Sequence, residues 1–119
     1  MAFITSTGGR QVEVTTCTPD AQTSTASTVV VTGSGLDTGP HLTVAYTVVV
    51  ATNAIKWSVF GANSSDYSDE VAVLAAATVA SGARSSDPAT PAPFRYYRVK
   101  IIDDSGGVHG SATVRGIAK

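Results

Sequence analysis

The segment that most constrains the fold is 94–119, because its apolar residues recur at every second position. Tyr97, Val99 and Ile101 fall on one side of an extended chain, and Tyr96, Arg98 and Lys100 on the other. Successive side chains of a strand point to opposite faces, so this is the signature of a half-buried strand. Ala112 and Val114 resume the alternation against Ser111, Thr113 and Arg115. Between the two runs, Asp104-Ser105-Gly106-Gly107 supplies residues that accept positive φ. The stretch therefore predicts strand, tight turn, strand: a β-hairpin.

The same logic extends upstream. Residues 3–7 read as a short edge strand. Residues 10–17 alternate Val12 and Val14 against Gln11, Glu13 and Thr15, a second strand. Residues 18–24, with Pro19-Asp20, read as loop, and Val29 to Val31 as a buried-strand run. Gly33, Gly35, Gly39 and Pro40 bracket a flexible loop. Residues 41–52 form a long strand candidate. Ile55, Trp57 and Val59 alternate with Lys56 and Ser58, and this face assigns Trp57 to the core. Residues 63–69 are a polar turn. Residues 71–80 are rich in Ala but lack a capped stripe of helical period, and read as strand. Residues 81–93 are rich in Ser, Pro, Gly and Ala and read as an exposed loop. The expectation is an all-β, single-domain antiparallel β-sandwich or jelly roll of about seven to eight strands, spanning residues 1–119.

Composition narrows the function classes. Charged residues are 14% of the chain and the net charge is -1, with the eight Lys and Arg scattered. Nucleic-acid binding wants clustered cations, so no nucleic-acid partner is expected. Weak self-repulsion suits a protein that packs against copies of itself. Cys17 is the single cysteine, so no internal disulfide forms. No apolar run approaches the roughly 20 residues of a membrane helix, and the first residues do not read as a signal peptide. The expectation is assembly in a reducing cytoplasm, with no membrane partner.

No catalytic set emerges. Asp104-Ser105-Gly106-Gly107 is similar to the nucleophile segment of chymotrypsin-like proteases, but that family needs a second barrel, and nothing places His41 or His109 beside Ser105. Asp66, Asp69 and Glu70 form an acidic cluster whose spacing is not that of an EF-hand; Asp103 and Asp104 could join it only if the fold brings the two loops together. Two distant histidines and one cysteine give no zinc pattern. No cofactor or metal is expected. Cys17 reads as a small core residue. Tyr96 shares its face with Arg98 and Lys100, a combination found at protein interfaces and at sugar-stacking surfaces alike. The candidate interface residues are Phe3, Tyr67, Tyr96, Arg98 and Lys100.

Taken in order, residues 54–63 (Ala-Ile-Lys-Trp-Ser-Val-Phe-Gly-Ala-Asn), 67–71 (Tyr-Ser-Asp-Glu-Val), 94–99 (Phe-Arg-Tyr-Tyr-Arg-Val) and 110–119 resemble small virion proteins of tailed bacteriophages. The same order looks like a discoidin-type, galactose-binding-like jelly roll. The resemblance implies a non-enzymatic structural protein, a head decoration (cement) protein or a minor head or tail component. It implies partners that are copies of the chain itself, arranged as a trimer or another symmetric cluster, and a major capsid protein or other virion protein. A short arm at the N-terminus, or the loops 33–40 and 81–93, would then be the candidates for gripping the shell. The alternative is a carbohydrate-binding module that holds a glycan through Tyr67 or Tyr96.

Overall fold

The computed structural model describes residues 14–39, 43–89, 94–104 and 108–119. Among them are ten strands: β1 (Thr15–Cys17), β2 (Gln22–Thr23), β3 (Val29–Val30), β4 (Leu36–Asp37), β5 (Val44–Thr52), β6 (Ile55–Ala62), β7 (Val71–Val79), β8 (Arg84–Ala89), β9 (Tyr96–Asp103) and β10 (Ser111–Ala118). No helix occurs among the described residues. The predicted strand at residues 3–7, and Phe3 with it, lies outside them, as does the first half of the strand predicted over 10–17, whose second half holds β1.

Two antiparallel five-stranded sheets result. One runs β1-β10-β5-β8, with β2 also on β10; the other runs β3-β9-β6-β7, with β4 also on β9. β1 and β2 lie on the same edge of β10, at opposite ends of it. β3 and β4 do likewise on β9. Each pair is one row with a break in it, so ten pieces make eight rows. The row order, with every link except β6 to β7 passing between sheets, is that of a jelly roll.

The inner faces build the core. Val44, Tyr46, Val48 and Val50 of β5 and Ala112 and Val114 of β10 meet Ile55, Trp57 and Val59 of β6 and Tyr97, Val99 and Ile101 of β9. Each buried Val or Ile contributes about 1.5–3 kcal/mol relative to exposure, so these twelve or so side chains dominate the stability. Trp57 is completely buried, as its face implies, although its indole N–H finds no hydrogen-bond partner among the described residues.

Four expectations need correction. The C-terminal segment is not a hairpin: β9 and β10 lie in different sheets, so the link between them crosses the sandwich. Period two reports which face is buried and is silent about which strand is the neighbour. Residues 81–93 are not all loop, because β8 pairs with β5 from Val49↔Arg84 to Val44↔Ala89. The 33–40 segment is not free either: Leu36 is buried and pairs opposite Tyr97. Finally, the run of three valines is not buried throughout. Val31 is in the core while Val30 is exposed, as alternation in an edge strand requires.

Candidate functional site

Four of the five residues singled out from the sequence converge on the outer face of β9. Tyr96, Arg98 and Lys100 alternate outward there while Tyr97, Val99 and Ile101 point into the core. The 63–70 loop between β6 and β7 folds back over them. It is knitted by its own backbone, Tyr67 N–H to Ser64 O (3.0 Å) and Glu70 N–H to Tyr67 O (3.2 Å). Asp69 accepts from the amides of Asn63 and Ser64, and Asp66 from that of Ser68. Tyr67 holds a positive φ of 59 degrees, a turn conformation that costs energy in a bulky residue. Its hydroxyl repays this by donating to the carbonyl of Tyr97 at 2.9 Å.

The cations on this face are already engaged. Arg98 donates to Glu70 Oε2 at 2.9 Å and lies over the Tyr67 ring, 4.2 Å from its centre. Lys100 pairs with Glu70 Oε1 and sits 4.3 Å above the Phe60 ring. Burial works to raise the Glu70 carboxyl, but the hydrogen bonds from Arg98 and Lys100 outweigh it and hold the group below its ordinary value. The side chains of Arg98, Lys100 and Glu70 retain only 24%, 19% and 16% of their exposure, so the trio mainly fastens the loop to the sheet. Tyr96 packs edge-on against Tyr67, 6.4 Å between centres, and lies beneath Arg95, which forks onto Asp37 at 3.0 and 3.3 Å. Arg95 and Asp37 are both about half exposed and extend the cluster toward β4. Arg95 and Asp37 carry no sequence signal of their own, and Glu70 carries one only as a member of the acidic cluster; only the fold brings 37, 70 and 95 together.

The opposite end of the sandwich holds a second polar group. Ser24 Oγ donates to Asp103 Oδ1 at 2.5 Å and accepts from the Gly110 amide at 2.8 Å. Asp103 Oδ2 lies 2.9 Å from Nδ1 of His109. Serine, aspartate and histidine are thus linked, but the carboxylate is in the middle. A nucleophile triad needs imidazole between hydroxyl and carboxylate, so the arrangement cannot activate Ser24 in that way. It ties the crossing link to the sheet ends instead. Ser105 and His41 lie outside the described residues. The two acidic groups weighed as cation ligands stay apart: Tyr96, beside the 63–70 loop, pairs with Ala62, whereas Asp103 pairs with Ile55 at the far end of β6. At about 3.4 Å per residue that separation is some 20–25 Å. No group of three or more His, Cys, Asp or Glu is placed to hold a metal among the described residues.

Cys17 is half buried against the core, as its position implied, and its thiol points at the carbonyl of Ser34, 3.6 Å away. Burial pushes the thiol above its ordinary pKa. That environment suppresses the thiolate on which cysteine reactivity depends.

No protein-family model matches the chain, and no curated protein matches it. Solved structures share its fold. A Bacillus endospore appendage protein, from a family of disulfide-linked pili, aligns over 100% of this chain and 98% of its own with a TM-score of 0.54 at 12% identity. A chain of the T13 IBDV viral particle aligns over 89% of this chain with a TM-score of 0.53 at 16% identity. The corresponding chain of infectious bursal virus derived T=1 particles gives 0.53 at 17% identity. This chain spans only 30% and 31% of the two virus chains. At such identities the likeness is one of fold.

Proposed function

We propose that this chain is a non-enzymatic structural protein of a virion, assembled in the host cytoplasm, where it decorates the head by associating with its own copies and with the capsid surface. The observation that carries the reading is the sheet edge formed by β7. Its sequence, Val-Ala-Val-Leu-Ala-Ala-Ala-Thr-Val, holds nine residues with no charge, proline or glycine. Val71 and Val73 are 49% and 36% exposed, and Ala72, Ala75, Ala76 and Thr78 are exposed as well. Among the described residues β7 pairs only with β6.

A long apolar edge is a template for another chain, and proteins that must stay solitary blunt such edges with charge, proline or interruption. The other three edges of this molecule are blunted. β8 carries Arg84, Asp87 and Pro88, the β1 and β2 row breaks at Pro19, and the β3 and β4 row breaks over residues 31–35. β7 carries two bulges against β6, so twist is its one guard, with no charge or proline beside it. Structural subunits that assemble in many copies are where a long, uncharged apolar edge has a use, and the pilus and virus-particle proteins that share the fold are consistent with that use. The Tyr67 and Tyr96 surface, with Arg98 and Lys100 beneath it, is the candidate second contact, toward the shell.

Light scattering and sedimentation of the purified chain, with and without the mature capsid, test the reading. The expected result is stable self-association at micromolar concentration and saturable capsid binding. Val73→Lys with Ala76→Lys, both at exposed sites, should leave the monomer folded and weaken self-association by about tenfold or more. A wild-type chain that remains monomeric and ignores the capsid would remove the decoration role.

A further inference from the structure

The outer face of the β1, β10, β5 and β8 sheet has a charge pattern that the edge contact does not use. Cross-strand rows place Thr113, Val49 and Arg84 side by side, then Arg115, Thr47 and Ser86, then Ile117 beside Ala45, with Thr16 beyond. Two depressions lie in this face. One, of about 440 Å³, is lined by Thr47, Val49, Arg84, Thr113 and Arg115; the other, of about 330 Å³, reaches from Thr47 and Arg115 past Ala45 and Ile117 to Thr16. They share Thr47 and Arg115 and so form two lobes of one groove. No Asp or Glu is among the described residues that line either lobe. Arg84 and Arg115 are both exposed, and neither has an ion-pair partner among the described residues. Every cation on the outer face of β9 whose pairing was described above has its carboxylate; these two do not.

The complementary surface belongs to the opposite face of the molecule. The 63–70 loop projects Asp66 and Asp69, both exposed. Glu70 is neutralised by Arg98 and Lys100, but Asp66 and Asp69 bond to backbone amides, Asp66 to the Ser68 side chain as well, and pair with no cation among the described residues. Those same amide bonds fix the loop, so little ordering is left to be done on binding. Tyr67 and Arg98 hold it against the sheet.

We infer that the Arg84 and Arg115 groove receives the Asp66 and Asp69 loop of a second copy of this chain. The inference rests on the assembly reading and names a contact distinct from the β7 edge. Guanidinium groups take carboxylates in forked pairs, and the threonine hydroxyls of the groove floor supply further donors. The two patches are different surfaces on opposite faces, so the contact is heterologous: each copy offers its loop to one neighbour and its groove to another. Such a contact closes into a ring or continues as a stack. Combined with edge pairing at β7, it would extend the assembly in a second direction.

Charge exchange on the full chain tests this. Arg84→Glu with Arg115→Glu makes both patches acidic; Ser65→Lys with Asp66→Lys makes both basic while keeping Asp69, which caps the loop. Circular dichroism confirms folding, and Arg84→Gln with Arg115→Gln provides a milder second variant. Each variant alone should associate about tenfold more weakly than wild type in sedimentation at about 0.05 M salt, and wild type should weaken similarly at about 0.5 M. A one-to-one mixture of the acidic-groove and basic-loop variants should recover wild-type assembly, because each groove again meets a loop of opposite sign. Association of all variants at wild-type strength, or a mixture no stronger than its components, would overturn the contact. If the β7 lysine variants dissociate the protein while these do not, the assembly reading stands and the groove contact falls. Retention of a groove-dependent polyanion such as heparin, without any effect on self-association, would likewise assign the groove to another ligand and overturn it.

Discussion

Gly116 sits in β10 directly between Tyr46 of β5 and Cys17 of β1, and the chain has no room for a side chain there. A Cβ would lie 2.6 Å from Tyr46 Cε1 and 2.8 Å from Cys17 Sγ. The space it leaves lets the Tyr46 ring lie flat in the core with its hydroxyl donating to the carbonyl of Ser34, 2.6 Å away in the other sheet. One oxygen thereby receives a phenol and a thiol, and the two sheets are fastened by polar groups in an apolar interior. Burial above all, with smaller repulsion from Cys17, pushes the Tyr46 phenol well above its ordinary pKa, so it remains a donor. The sign of the pH effect follows. A proton held more tightly in the folded chain than in the unfolded one gives stability that is complete below about pH 10 and is lost as pH climbs beyond it. Tyr46→Phe should therefore cost about 1–2 kcal/mol at pH 7, where a buried hydrogen bond is removed, and should lose less stability than wild type between neutral and strongly alkaline pH. Urea unfolding at the two pH values measures both. Tyr67 and Tyr97 are also raised by burial, so some alkaline weakening persists in the variant. Equal alkaline losses in variant and wild type would show that Tyr46 is not the group responsible.

Edge rows show what the sequence could and could not reveal about elements. The alternation of Tyr97, Val99 and Ile101 against Tyr96, Arg98 and Lys100 was legible because a buried face demands it. The pairing partner was not, since a crossing link and a hairpin turn use the same Gly and Asp chemistry. β8 is hidden in the sequence for a related reason: Arg84-Ser-Ser-Asp-Pro-Ala has weak strand propensity and is extended because β5 offers it a ladder. Proline is admissible there because β8 is an edge. Tyr67, Tyr96, Arg98 and Lys100 could be nominated together because three share one strand face, whereas Glu70's role as their common anion depends on a loop fold that no local pattern encodes. The break between β3 and β4 is the least legible feature and the most informative. Where the edge backbone bulges away, the Ser34 hydroxyl takes its place, accepting from the Val99 amide at 3.0 Å. Ser34→Ala should strand that buried amide and cost about 1–3 kcal/mol. Hydrogen exchange read residue by residue would show the Val99 amide exchanging faster; unchanged protection there would mean that the backbone closes the gap itself.

At the scale of the molecule, nearly every connection passes from one sheet to the other, so neither sheet can form from a continuous stretch of chain. Among the described strands, only β6 and β7 are neighbours both in sequence and in the ladder. A sheet assembled from segments far apart in sequence cannot bury its inner face without the other sheet, and we propose that the two fold as one cooperative domain. Trp57 reports on this directly. It is the chain's single tryptophan, lies in the middle of β6, and is completely buried between the layers with its indole N–H unbonded among the described residues. An indole so shielded emits at short wavelength and shifts to the red only when the layers part. Far-ultraviolet circular dichroism follows the ladders of both sheets. In urea the two signals should trace superimposable curves with a single midpoint, as expected of a two-state domain of this size. If the red shift of Trp57 precedes the loss of strand signal, the layers separate while the ladders persist. The jelly roll would then be two weakly coupled sheets, and the inter-sheet clasp of Tyr46 and Ser34 would not carry the weight assigned to it.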